Sequence, residues 1–168
     1  MTRWTRDDSG ASQRLQSWTI CSPHSARGSH RLKAMEAADP SPISIDEATA
    51  RLGFLADRSP TTSAEDARGA FARLSDYRDS GVFVGHWAGT SEWERHAVGD
   101  EIVMVLAGRT TIFYLGDDSD RSAELTAGEI IIVPQGTWHR FETPEEVMIL
   151  SVTPLPTEHS SERPSPGL

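Results

Sequence analysis

The sequence predicts an all-β fold, a sandwich or small barrel, and three observations carry that prediction. From Gly81 onward, short apolar segments recur at close, regular spacing with turn residues between them. Three of these segments are apolar on both faces, so they need cover on each side. Gly89, Gly99-Asp100, Gly108, Gly116, Gly128 and Pro134-Gln135-Gly136 punctuate the segments in a pattern that fits a sandwich or barrel and not a parallel α/β sheet.

The chain has 168 residues, enough for one domain with a real core. Hydrophobic residues make up 37 % and charged residues 24 %, values that fit a soluble globular chain with some disordered length. The longest apolar runs, Ile102–Ala107 and Ile130–Val133, are strand-sized and too short to span a bilayer. The N-terminus has no apolar segment of the kind a secretory signal needs. A lone cysteine, Cys21, excludes an intrachain disulfide and a zinc–thiolate site, which suits a cytoplasmic setting.

Residues 1–42 are rich in Ser, Arg, Gly and Pro, show no sustained apolar period and read as a disordered basic arm. Six basic residues against two acidic ones give residues 1–34 a net +4, and the body then carries −13 of the total −9. An acidic body argues against a nucleic-acid partner, whose phosphates need Lys and Arg contacts. Met35, where the charge balance changes sign, is expected to be the natural translation start; an intact mass matching the full chain would exclude it.

A helical extension and first strand are expected over 43–80. Ser44-Ile45-Asp46-Glu47 reads as a capping box opening a helix that runs to about Asp57, with Ala48, Leu52 and Leu55 on one face and Pro60 as a stop. Ser63-Ala64-Glu65-Asp66 is a second, weaker helix start. Ala70–Leu74 is too short for periodicity to separate helix from strand. Strands follow at Val82–Trp87, Ser91–His96, Glu101–Ala107, Thr110–Leu115, Ser122–Thr126, Glu129–Val133, Thr137–Glu142 and Val147–Thr153. Glycines and prolines between them mark the turns, and residues 155–168 read as a loose C-terminal tail. The two-faced strands, 102–107, 130–133 and 147–153, point to a homodimer, with the 44–57 helix as the alternative cover.

Along Trp93–His96, alternation puts Glu94 and His96 on one face and Trp93 and Arg95 on the other. Ala97-Val98-Gly99-Asp100 looks like a four-residue hairpin loop, which would set Glu101 almost opposite His96. Gly128–His139 adds a Pro134-Gln135-Gly136 turn that delivers Thr137, His139 and Phe141 to one face. Glu94, His96 and Glu101 could therefore converge on a divalent cation, and a closed β-barrel can bring the distant His139 to them. Buried carboxylates without a metal or partner would be costly.

Taken together, the two stretches resemble the cupin superfamily, as a single small barrel of the RmlC-like, type-2 kind. Glu94 stands at the first histidine of the family's first motif, followed by His96, four residues, Glu101, six residues and Gly108. Gly128, Pro134, Gly136 and His139 match the second motif, with Thr143 in place of its asparagine. The first motif's leading glycine slips to Gly89. The resemblance covers about residues 81–153 and implies a jelly-roll (double-stranded β-helix) barrel over 81–154 whose motif residues carry a metal.

It implies reaction far less narrowly, since the family includes dioxygenases, isomerases, epimerases, decarboxylases and non-catalytic domains. The leading expectation is a metal-dependent enzyme, dioxygenase- or isomerase-like, acting on a small organic molecule, with Glu101 or Glu94 as proton acceptor. The alternative is a non-catalytic binding or sensing protein. Glu94 is either a fourth ligand or a hydrogen-bond acceptor behind the ligands. Two histidines with two carboxylates favour Fe(II), Mn(II) or Ni(II) over copper, and without Glu94 the remaining three match the facial triad of non-haem iron oxygenases. Tyr114, Phe141 and Met148 are expected substrate-pocket walls. His86 and His159 read as structural and solvent-exposed, Arg95 and Arg140 as surface ion-pair residues, and Trp93 and Trp138 as packing.

Overall fold

The computed structural model describes residues 40–116 and 119–165. The expectations for residues 1–39, including the start at Met35, lie outside these residues.

Ser44 caps the first element as expected, its Oγ accepting from the Glu47 N–H at 3.2 Å. The helix it opens, α1 (Ile45–Thr49), has only five residues and does not reach Asp57. Leu55 instead joins a strand, β1 (Leu55–Arg58), and packs against the barrel core, so tertiary burial overrides helix propensity here. Ser63-Ala64-Glu65-Asp66 forms a turn closed by the Ser63 and Asp66 side chains, not a helix. The ambiguous Ala70–Leu74 stretch belongs to β2 (Phe71–Tyr77), which pairs antiparallel with β3 (Ser80–Thr90).

The remaining strands are β4 (Trp93–His96), β5 (Glu101–Tyr114), β6 (Arg121–Thr126), β7 (Ile130–Val133), β8 (His139–Pro154) and β9 (Thr157–Ser160). Two pairs of expected strands are fused: 101–107 with 110–115 as β5, and 137–142 with 147–153 as β8. These long strands pair antiparallel along both halves, from Ile102 opposite Val152 to Tyr114 opposite His139. The register shifts between Gly108 and Thr111, where β5 bends. Gly108 adopts φ 74°, and a Cβ there would overlap the Glu146 carbonyl oxygen on β8. β3 lines the other edge of β8, and β1 runs parallel to β3 with Arg58 opposite Gly89. The result is the all-β jelly-roll expected, with a short helical extension.

Two further expectations fail. β4 and β5 do not form a hairpin: β5 pairs with β6, β7 and β8, while β4 pairs with β8 and β9, so residues 97–100 cross between different parts of the sheet. The stretch expected to be loose after residue 155 contains β9, which pairs with the whole of β4, Trp93 opposite Ser160 through His96 opposite Thr157.

The core is built from Trp87, Val103, Val105, Ile112, Phe141 and Val147, all 3 % exposed or less, with Leu125, Val133 and Ile149 around them. On the opposite face, Ile102 lies beside Ile132 and Val152, and Met104 beside Ile130 and Leu150. Ile130 and Ile132 remain 60 % and 50 % exposed there. Among the described residues, no helix is long and apolar enough to cross a membrane.

Candidate metal centre

The four candidate ligands meet, though not by the hairpin route. Glu94 on β4 lies directly opposite His139 on β8, and its Oε1 stands 3.4 Å from His139 Nε2. Glu101, at the start of β5, places Oε2 3.1 Å from His139 Nε2 and 3.3 Å from His96 Nε2. The two imidazole centroids are 5.4 Å apart. Glu94, His96 and His139 each offer a ligand atom within 4.8 Å of the others. His139, His96 and Glu101 are buried, at 0 %, 2 % and 3 % exposure, and Glu94 is half-buried.

The loops that carry the motifs hold each other in place. Asp100 Oδ1 accepts from the Gln135 N–H at 2.8 Å, and Gln135 Nε2 donates to the Ala97 carbonyl at 2.6 Å. The Gly136 N–H donates to the His96 carbonyl at 2.9 Å. Gly136 can supply this turn because φ 78° is open to glycine. Asp100 thus serves the turn, as expected, and ties the two stretches together.

Each inward group is oriented from behind. His139 Nδ1 lies 3.1 Å from the Thr137 carbonyl, which only accepts, so Nδ1 carries a proton and Nε2 faces the cluster. His96 Nδ1 is 3.3 Å from the Thr157 hydroxyl on β9. Glu101 Oε1 accepts from Thr153 Oγ1 at 2.6 Å, and Thr153 in turn contacts the Ser151 hydroxyl at 2.8 Å. Phe141 sets its ring edge-on to His139, with centroids 5.8 Å apart.

Burial pushes the Glu101 carboxyl up, but His139 and then His96 outweigh it and hold the group down at about 2. Burial likewise pushes His139 down, and hydrogen bonding and charge from Glu101 and Glu94 carry it up to about 10. Without metal, the centre is therefore a buried imidazolium–carboxylate cluster.

The residues present fit a divalent cation. His96 Nε2 is buried and makes no hydrogen bond, its approach to Glu101 being poorly directed. Glu94, His96 and His139 form a compact ligand group, and Glu101 Oε2 lies against both imidazole nitrogens, a borderline N/O donor set suited to first-row divalent ions.

A cavity of about 180 Å³ adjoins the cluster. Glu94 and Glu101 line it, together with Phe141, Trp87, Val103 and Ile149. Phe141 is among the residues that line this cavity. Tyr114 is not: it lines a separate cavity of about 460 Å³ with Leu115, Arg121 and Ile131. Met148 lines neither, because β8 turns Val147 and Ile149 inward and Met148 to the other face, opposite His86. The alternation that fixes Val147 as core excludes Met148 from the interior.

The bland roles stand. His86 Nε2 pairs with Glu146 at 2.6 Å, and His159 pairs with Glu92 at 2.9 Å. Arg95 pairs with Glu158 at 2.6 Å and stacks 4.8 Å from the Trp138 ring. Arg140 pairs with Glu142 and stacks 5.3 Å from the Trp93 ring. Sequence reasoning missed Thr157, Thr153 and Arg58, the last of which also lines the cavity beside Glu94.

No curated protein matches the chain. A cupin-2 domain protein of Shewanella frigidimarina is 26 % identical, at TM-score 0.43, covering 50 % of this chain and 78 % of its own. A cupin superfamily protein of Desulfitobacterium hafniense is 17 % identical, at TM-score 0.45, covering 51 % and 76 %. A hydroquinone 1,2-dioxygenase in complex with Cd2+ and 4-hydroxybenzonitrile is 20 % identical, at TM-score 0.44, covering 50 % and 63 %. The family model that matches is the Cupin_2 cupin domain, over residues 85–153, the span that contains all four candidate ligands. Over that segment the chain carries a cupin domain.

Proposed function

We propose that the protein is a metal-dependent cupin enzyme, dioxygenase- or isomerase-like, that acts on a small organic molecule held in the barrel. The observation that carries this reading is the convergence of Glu94, His96, Glu101 and His139 beside the cavity, with His96 Nε2 buried and lacking a hydrogen bond. A divalent metal, with Fe, Mn or Ni favoured, would be held by His96, Glu101 and His139, with Glu94 as the fourth candidate. When bound, it supplies Lewis acidity, and redox capacity if it is iron.

The chain's own residues do the rest. Thr137, Thr157 and Thr153 fix the orientation of His139, His96 and Glu101. Trp87, Val103, Phe141 and Ile149 keep water from the reacting face. Glu94 lines the cavity and is the more exposed carboxylate, so it is the better-placed proton acceptor, with Glu101 second.

Elemental analysis of wild type beside His139→Ala and Glu94→Ala tests the reading. We expect bound transition metal in the wild type and its loss in His139→Ala. Retention in Glu94→Ala assigns Glu94 to hydrogen bonding; loss assigns it as the fourth ligand. A wild type with no metal as purified and none taken up on reconstitution overturns the reading.

We also propose that the protein works in the cytoplasm as a homodimer. The continuous apolar face of Ile102, Met104, Ile130, Ile132, Leu150 and Val152 supports the dimer. A monomeric mass by light scattering at micromolar concentration would remove it.

A further inference from the structure

We propose that Arg58 is the recognition residue for the carboxylate of a small monoanionic substrate with a flat apolar body. This deepens the enzyme reading above and rests on it for the metal alone. Arg58 comes from β1, outside the matched domain, yet it lines the same cavity as Glu94 and Glu101.

Its position is built. Gly89 lies opposite Arg58 and has φ 106°, and a Cβ there would overlap the Arg58 backbone. A Cβ on Gly85 would meet Phe71 and Trp87 at 2.7 and 2.8 Å, so that glycine makes room for their rings. Phe71 and Trp87 stack at 5.3 Å, and the Arg58 guanidinium lies 5.1 and 4.8 Å from their centroids.

The guanidinium is held by these rings but its donors are not used. Among the described residues, the Arg58 guanidinium makes no ion pair within 4.0 Å and no hydrogen bond. The acidic groups that act on it at longer range are Glu94 and Glu92, and both contact histidines, His139 at 3.4 Å and His159 at 2.9 Å. A cavity-lining guanidinium whose N–H donors have no acceptor within hydrogen-bond distance matches a bidentate carboxylate.

Charge and size agree. A divalent metal with Glu94 and Glu101 sums to zero, so Arg58 leaves the interior one positive charge to be balanced. The cavity of about 180 Å³ is close to one of ~150 Å³ that holds benzene. Phe71, Phe83, Trp87 and Phe141 along its walls suit a flat apolar body. Such a molecule would place its carboxylate on Arg58 and its reacting end toward Glu94 and Glu101.

The test titrates metal-loaded protein with benzoate and with the neutral isostere benzamide. Tryptophan fluorescence is followed because Trp87 lies against Arg58, and metal content is measured on the same samples. We expect benzoate to bind at least about tenfold tighter than benzamide. Arg58→Gln should weaken benzoate about ten- to hundredfold and leave benzamide unchanged, while Arg58→Lys keeps part of the preference. Equal affinities in the wild type, absence of saturable benzoate binding, or full benzoate affinity in Arg58→Gln overturns the proposal. The wild-type comparison in EDTA, where no metal can take the carboxylate, decides even if Arg58→Gln does not fold. Repeating the titration in EDTA separates the two readings. An Arg58-dependent preference in a protein that takes up no metal keeps this proposal and removes the metal, whereas a metal-binding protein indifferent to benzoate does the reverse.

Discussion

Replacing Glu101 by glutamine keeps the shape of the side chain and its acceptor for Thr153, and removes only the charge. In the metal-free protein that charge faces His139 at 3.1 Å and His96 at 3.3 Å, with 3 % of the residue exposed. Holding the carboxyl at about 2 instead of 4.5 corresponds to stabilisation on the order of 3 kcal/mol at neutral pH. That size matches the ~3–5 kcal/mol usually lost when one partner of a buried pair is removed. We expect Glu101→Gln to melt roughly 10 °C below wild type in EDTA. The pH profile gives the stronger signature. The Glu101 contribution is complete above its unfolded value and is lost as pH falls through about 2. The His139 contribution is complete below 6.5 and is lost as pH rises through about 10. The variant should lack the first limb and show a shrunken second, because Glu94 alone remains beside His139. Thermal melts by circular dichroism across this range measure both. A variant as stable as wild type, with the same pH slopes, would refute the buried ion cluster.

Metal uptake at neutral pH should release a proton, because His139 is raised to about 10 and only its neutral form ligates; calorimetry in buffers of different ionisation enthalpy counts it, and zero release contradicts the cluster. Apparent metal affinity should accordingly rise with pH up to about 10. Thr157→Val removes the hydroxyl 3.3 Å from His96 Nδ1 and should lower metal affinity about 10–100-fold with little change in melting temperature; competition with a chelator measures it. Gly108→Ala and Gly128→Ala both force alanine to positive φ, but only Gly108 faces a clash, with Glu146. Gly128→Ala should cost about 1 kcal/mol and Gly108→Ala at least about twice that, read by urea denaturation; equal losses would mean that β5 and β8 are less closely apposed at the bend.

The barrel was legible because turn residues carry local physics. Gly108, Gly128 and Pro134-Gln135-Gly136 mark places where any chain must bend, and the strands between them alternate visibly. The convergence of Glu94, His96 and Glu101 was legible too, but through the wrong intermediate. A four-residue loop after an apolar strand looks like a hairpin, and nothing local tells a hairpin from a crossing in which β4 and β5 take different partners. Met148 was misplaced because two-faced strands hide which parity is inward; the register with β3 and β5 decides it. Helix α1 stops early for a related reason: Leu55 gains more against the core than in a helix. Arg58 and Thr157 carried no local signal, since an arginine after Asp57 and a threonine after Pro156 look like surface residues. Only Gly89 hinted at β1, because its unusual conformation serves a strand lying against it.

Two of the strands outside the matched segment, β1 and β9, divide the work of the molecule in a particular way. A chain trimmed to the matched segment, 85–153, would keep all four candidate ligands. It would lose the threonine that steadies His96 and the arginine that faces the cavity, along with the cover over one side of β4. That strand, bearing Glu94 and His96, would become a bare edge open to pairing with other chains. Trimming should therefore produce an aggregating protein with weakened metal retention. Exchange of β1 and β9 between relatives, with the barrel left untouched, is then a route to altering ligand selectivity and metal retention separately.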